Sequence, residues 1–331
     1  MTTGTALAQD ATADFYQGKN IDIYVGYSAG GSYDAYARLV GRFLGEHIPG
    51  KPRVTIRQMA GAGSRIAANY VYNIAPKDGT VLATADQAMP VQQAVGDPDI
   101  KFDTSRFNWI GNPTADNNLL VVWHTANVKT LDDIKKKEVI LASTGINTSS
   151  QYAQALNSIA GTRFKIVLGY PGAAEMGLAM EKGEAHSHTA PWAAWKASKP
   201  DWIRDKKIDI IFQVGLNRSR ELPDVPLFMD YAQNDLDRAA LRLFSAAAAI
   251  GRPLFTTPGV PQERVAALRK AFDETVRNPE FLKAAAQSKL DVDPVSGVEL
   301  QRIVSEIVNA PKEVTARLSA IIALPDQKKK N

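Results

Sequence analysis

Short apolar runs along this chain are each followed by a turn of small polar residues and then by an apolar stripe at helical spacing. Ile21, Ile23, Tyr24 and Val25 form a β-prone run, after which Tyr36, Val40, Phe43 and Leu44 recur with the period of a helix. Between them Ser28 to Ser32 bring two hydroxyls and the Gly30-Gly31 pair to a helix start, where backbone N–H groups lack partners and an anion is welcome. Arg53 to Gln58 alternates as a second strand. It leads through Ala60-Gly61-Ala62-Gly63-Ser64 to a helix with Ile66, Ala67, Tyr70, Val71 and Ile74 on one face, closed at Pro76-Lys77-Asp78-Gly79. Thr80 to Thr84 is a third strand, and Ala85-Asp86-Gln87 precedes another short helix. Three such units in succession predict a parallel sheet with its loops on one rim, the side on which open parallel sheets hold ligands.

The segment from Asp97-Pro98 to Asn112-Pro113 is turn-rich, with Phe102, Phe107 and Trp109 read as surface anchors. Past the apolar strand Leu119 to Trp123 the pattern restarts. Leu131 to Ile134 is helical, Val139 to Ala142 a strand, Ser143 to Ser150 a polar loop and Gln151 to Ile159 a helix. Strand Phe164 to Leu168 then runs through Gly169-Tyr170-Pro171-Gly172 into the helix Ala173 to Lys182. Further strands are expected at Glu184 to Ala190, Ile208 to Val214 and Ala246 to Ile250, with Leu222 to Pro226 a rigid connector. From Pro261 the chain reads as helices: Glu263 to Val276, Pro279 to Ser288 and Ser296 to Ala310. A helical tail of this kind is expected to return and cover the first sheet.

A length of 331 residues predicts two domains, and 45% apolar with 22% charged residues is ordinary for a globular chain. The alanine run before Ile250 lies between Arg242 and Arg252 and is too short to span a bilayer, so no membrane insertion is expected. The net charge of +4, with only the short runs Lys135 to Lys137 and Lys328 to Lys330, argues against a nucleic-acid partner. Cysteine is absent, which excludes disulfides and thiolate chemistry. Ala6-Leu7-Ala8 has the small-x-small pattern of a signal-peptidase site, so residues 1–14 are read as the end of an export signal and a disordered start.

Gly26-Tyr27-Ser28-Ala29-Gly30 matches the G-x-S-x-G of a nucleophile elbow. Only a short tail precedes its strand, and His47, His124, His186 and His188 all come too early to complete a hydrolase, so catalysis by Ser28 is the lesser alternative. His186 and His188 share a strand face without the further ligands a metal needs. No phosphate-binding G-x-x-x-x-G-K motif and no G-x-G-x-x-G is present, so no cofactor is expected. Trp192 and Trp195 can pack together or flank a ligand. What remains is a set of small-residue loops before helices in both halves of the chain, suited to gripping an anion without acid, base or nucleophile.

The residues that carry this pattern also carry a resemblance. VGYSAGGSYD (Val25 to Asp34), AGAGS (Ala60 to Ser64) with APKDGT (Ala75 to Thr80), the polar loop before Gln151, GYPGAAE (Gly169 to Glu175), LPDVPLF (Leu222 to Phe228) and TPGVPQERVAALRKAF (Thr257 to Phe272) resemble the Bug family of periplasmic solute-binding proteins, the receptors of tripartite tricarboxylate transporters. The resemblance implies a two-lobed α/β periplasmic-binding-protein-like fold, two doubly wound sheets joined by two crossover strands, for which Leu119 to Trp123 and Ala246 to Ile250 are the candidates. One lobe would comprise residues 15–122 and 247–325, the other 123–246. It further implies a monomeric, periplasmic receptor that closes over a small organic carboxylate like a Venus flytrap and passes it to the transporter's membrane subunits. A ligand sensor of the same fold is the alternative within the family.

Matched residue by residue, the resemblance places Ser28, Ala29, Gly30, Gly31, Ser32 and Asp34 on one side of the ligand. Asn147, Thr148, Ser149, Tyr170, Gly172 and Ala173 fall on the other, with Gly61, Ala62, Gly63 and Ser64 on the rim. Tyr27, Gln87 and Pro171 lie in the same loops and complete the candidate set. Ser32 and Tyr33 stand where members commonly carry glycines and threonine, and His186 to Thr189 where an aspartate is frequent. Tyr33, His188 and Trp192 therefore leave the ligand's far end open between a short aliphatic diacid and an aromatic or bulkier acid. Arg65 is the nearest candidate cation, or else a solvated helix residue.

Overall fold

In the computed structural model, which describes residues 11–324, the chain builds two mixed sheets with helices packed around them. A helix over residues 11–16 (α1) opens it and buries Tyr16, so residues 11–14 are ordered, against the expected loose start. The export-signal residues and the lysines 328–330 lie outside the described residues.

The first sheet has the order β11-β4-β10-β3-β1-β2. Its parallel part is the one the sequence announces: β1 (Asn20–Val25), β2 (Arg53–Gln58) and β3 (Val81–Thr84), with β1 pairing both neighbours in parallel. Ile21, Ile23 and Val25 alternate into the core, whereas all four residues of the interior strand β3 are buried. Between these strands run α2 (Ser32–His47) and α3 (Arg65–Asn73), and α4 (Met89–Ala94) follows β3. On α3, Ala67, Ala68 and Val71 are buried while Ile66 and Ile74 face water.

The rest of this sheet is antiparallel: β4 (Asn108–Asn112), β10 (Leu254–Thr256) and the short β11 (Val295–Ser296). The turn-rich segment thus hides a strand, and its aromatics are core residues, not surface anchors. Phe107 packs 4.5 Å from Phe255, and Trp109 is fully buried. Turn residues on both flanks mask a strand of only five residues.

The second sheet has the order β7-β6-β8-β5-β9. Here β6 (Val139–Ala142) pairs in parallel with β7 (Phe164–Val167) and with β8 (Ser187–Pro191), while β5 (Asn118–Trp123) runs antiparallel between β8 and β9 (Ile208–Val214). All of β5 belongs to this sheet, so the first passage between sheets lies at residues 113–117, not at the boundary drawn after residue 122. Helices α5 (Leu131–Lys136), α6 (Thr148–Ala160), α7 (Ala173–Glu181), α8 (Trp192–Ser198) and α9 (Pro200–Arg204) complete this half.

The second crossover is not a strand. Ala246 to Ile250 are the last turn of α10 (Asp235–Ile250), whose start is capped by Asn234 accepting the Asp237 N–H at 2.8 Å. Ala240, Leu241, Phe244, Ala247 and Ala248 are buried at helical spacing. The chain then returns to the first sheet through Gly251 to Pro253. Of the helical tail, α11 (Gln262–Thr275) and α12 (Pro279–Gln287) pack on α2, and α13 (Gly297–Val308) on β4 and α4, as a cover for the first sheet. The last helix, α14 (Lys312–Ile322), instead packs on α10 and on α6 of the other half.

Candidate functional site: the cleft between the sheets

The loops after β1, β2 and β3 converge. Ser64 Oγ accepts the Asp86 N–H at 2.7 Å, and Tyr27 donates its hydroxyl to Asp86 Oδ2 at 2.8 Å. Facing them are the starts of α6 and α7 from the second sheet. Asn147 caps α6 by accepting the Ser149 N–H at 3.1 Å, and Thr148 reaches across to donate to Asp86 Oδ2 at 3.1 Å. Asp86 is thus a buried carboxyl held from both sides. Burial pushes its pKa above the ordinary carboxylate range, and the Ala88, Tyr27 and Thr148 donors oppose that shift only in part.

Next to it sits a residue that the sequence reading passed over as the end of an alanine run. Arg252 is 3% exposed. Its Nε donates to Ser32 Oγ at 3.0 Å and its Nη1 to Gln87 Oε1 at 2.7 Å and to the Gly251 carbonyl at 2.9 Å, and its guanidinium lies 4.7 Å from the centre of the Tyr33 ring. Among the described residues no carboxylate pairs with it, whereas Arg65 is buried in an ion pair with Asp97 and is neither a free cation nor solvated. Gly251 makes the placement possible. It has φ +62°, and a Cβ there would stand 2.0 Å from the Thr114 carbonyl oxygen, so only glycine lets α10 end and Arg252 turn inward.

Arg252, Asp86, Tyr27, Gly31, Ser32, Tyr33, Asn118, Thr144, Asn147, Thr148, Ser149, Ala173, Met176, Thr189, Ala190 and Pro191 line a cavity of about 70 Å³. Asn118 Nδ2 is buried there without a hydrogen-bond partner among the described residues. A second cavity, about 250 Å³, shares Gly31, Ser32, Ala173 and Ala190 with the first and continues past Gly30, Ala35, Ala174, His188, Ala194, Trp195, Ala197, Ser198, Lys199 and Leu290.

Residues 42–319 match the family described as the tripartite tricarboxylate transporter family receptor. The chain belongs to that family. A curated relative, the UPF0065 protein in the gbd 5′ region of Cupriavidus necator, is 25% identical over 338 residues, covering 95% of this chain and 91% of the relative. The periplasmic binding protein BugD shares the fold at 17% identity with a TM-score of 0.74, covering 93% of this chain and 99% of BugD. MatC from Rhodopseudomonas palustris, solved with bound malate, does so at 18% identity with a TM-score of 0.71, covering 92% of this chain and 99% of MatC. Among the receptor's described residues no helix is long and apolar enough to cross a membrane.

Several candidates shape the receptor's cleft without lining either cavity. Asp34 accepts the Gly30 N–H at 3.0 Å and bonds Arg38 and Gln58, so one loop N–H expected to be free for an anion is already engaged. Ser28 donates to Glu175 Oε2 of the second half at 3.0 Å, while His47, His124 and His186 have their contacts elsewhere and only His188, beside Trp195, lines the larger cavity. Gly172 packs against Ser28, and a Cβ there would stand 2.2 Å from Ser28 Oγ. Gly63 abuts Asn147, Ala62 lies with Gly63 against Gly145, Gly61 faces Ile66, and Ser64 sits against Gly26 and holds the Asp86 N–H. Ala29 and Pro171 are exposed and Tyr170 half-buried. Gln87 acts through Arg252. Trp192 turns away, donating to Glu221 at 2.9 Å, and it is Trp195 that reaches the second cavity. Arg252 and Asn118 are missed by sequence because each lies far along the chain from the glycine loops, whereas Thr189 falls in the stretch where an aspartate is frequent but is overshadowed there by His188. The one available signal was a glycine–arginine pair directly after a helix-length apolar stripe.

Proposed function

We propose that this receptor captures a small organic carboxylate between its two lobes in the periplasm and delivers it, as a monomer, to the membrane subunits of a tripartite tricarboxylate transporter. The lobes would move about the two passages between the sheets, residues 113–117 and 251–253. One observation carries the reading: a buried guanidinium in the cleft that touches no carboxylate among the described residues, Asp86 and Asp116 acting on it only across a longer distance. Keeping such a charge out of water costs several kcal/mol, and an incoming carboxylate supplies the direct ion pair that neither acid makes. Family membership and a fold that in MatC is seen with malate agree with it.

Calorimetry of the purified protein against organic acids tests the reading, with thermal shift as the screen. Arg252→Met should weaken carboxylate binding roughly 10- to 150-fold, the equivalent of a charge-assisted hydrogen bond, and leave the far-UV spectrum unchanged. Binding that survives the substitution at full strength removes Arg252 from the site.

A further inference from the structure

The two cavities differ in the charged groups they hold, and this difference selects among carboxylates. The smaller one brings Arg252, Asp86 and the hydroxyls and amides of residues such as Ser32, Asn118 and Thr148 together beside Met176, Ala190 and Pro191; the larger is walled mainly by alanine methyls, Leu290 and the His188–Trp195 ring pair, whose centres lie 4.5 Å apart, with Lys199 its one charged wall residue among those described. Four residues line both, so a ligand can place its head in one and its body in the other. We propose that the natural ligand is an amphiphilic monocarboxylate, its single carboxylate on Arg252 and its apolar or aromatic body in the alanine-walled compartment. This rests on the binding-protein reading above and narrows it to one substrate class.

Charge is the deciding consideration. The small cavity holds one cation without an acid partner and one acid, so a second ligand carboxylate placed there would face Asp86. In the large compartment Lys199 is the only cationic wall residue among those described, and it is held by Glu181 at 2.9 Å with its ammonium 4.3 Å from the centre of the Trp202 ring. His188 is buried and held neutral at ordinary pH. A second carboxylate would therefore have to draw Lys199 away from Glu181 or lose its water without gaining a partner. An apolar body gains instead, by about fourfold in affinity per buried methylene. A cavity of about 150 Å³ is known to accept benzene, so 250 Å³ admits a phenyl ring.

The test is calorimetry on the full chain with two pairs: hexanoate against adipate, which has the same chain length, and 3-phenylpropanoate against the smaller diacid malate. The single-headed acid of each pair should bind at least roughly tenfold more tightly, and affinity should climb about fourfold per carbon from butanoate to hexanoate. Ala194→Leu, with Ala197→Leu as a second variant should the first fail to fold, should cost 3-phenylpropanoate about tenfold and butanoate no more than about twofold, because the added side chain fills only the compartment for the body. Tighter binding of adipate or malate overturns the proposal while leaving the carboxylate receptor intact, as does an equal loss for both acids in the alanine variants. Absence of binding by every acid overturns both.

Discussion

His188 packs at a tilt against Trp195 and is buried, and burial, aided by the Lys199 charge, pulls its pKa down from the ordinary 6.5 to about 4. The unfolded chain therefore binds a proton near pH 6.5 that the folded chain refuses until about pH 4. This contribution to stability is whole above pH 6.5 and is lost as the pH falls towards 4, amounting to about 2–3 kcal/mol by pH 4.5. Urea unfolding at pH 7.5 and 4.5 should show that difference shrink in His188→Gln; an unchanged difference would mean that other groups carry the acid sensitivity. The same local view explains what the sequence disclosed of the site. Ser32, Tyr33, Thr148 and Ser149 announce themselves as small or polar residues at helix starts, and they do line the cleft. Arg252 does not, since its partner Ser32 lies 220 residues away and nothing local distinguishes it from a solvated arginine. Ser28 and Asp34 carry the right chemistry for an anion, yet spend their hydrogen bonds on Glu175 and on the loop itself.

At the level of elements, strands with a clean period were legible: β2 and β9 fall at the residues where alternation and β-branching place them. The failures share a cause. In 246–250 four alanines and an isoleucine are apolar whatever the backbone does, and the helical answer emerges only when Ala240, Leu241 and Phe244 are counted in the same stripe. Likewise β4 is identified by its partners β10 and β11, which arrive more than 140 residues later. Helix α14 shows what such long-range packing adds. It lies against α10 and α6, Arg317 donates to the buried Asp237 at 2.6 Å, and Leu318 is fully buried. Leu318→Ala should cost about 2–4 kcal/mol, because a buried leucine leaves both a lost transfer term and a cavity. The protein should still unfold in one transition, since Leu318 belongs to a core cluster that runs through residues of both sheets. Two separated transitions in calorimetry would show that the clusters act independently.

Across the whole molecule, the halves touch at the cleft through polar contacts that include Ser28 with Glu175, Thr148 with Asp86, and Lys196 with Asp291 at 2.9 Å, beside long bonds from Gln92 to the Ile146 carbonyl and from the Ser28 N–H to the Pro171 carbonyl. The acids of two of these pairs are accessible to water, where such contacts contribute little individually, so closure without ligand is held weakly and a bound acid can shift it. Gly172 is where that balance is most easily disturbed. The Cβ of an alanine there would overlap Ser28 Oγ, whereas the next atoms, Glu175 Oε2 and Ser28 Cβ, stand at 3.3 and 3.4 Å. Gly172→Ala should therefore part the lobes, enlarging the radius of gyration seen by small-angle scattering in the absence of ligand. If the closed fraction falls tenfold, apparent affinity falls by the same factor. Adding Ser28→Ala removes the oxygen that clashes and should recover most of both losses, although the hydrogen bond to Glu175 is gone. A double variant no better than Gly172→Ala would show that the glycine serves the start of α7 and not the approach of the two halves.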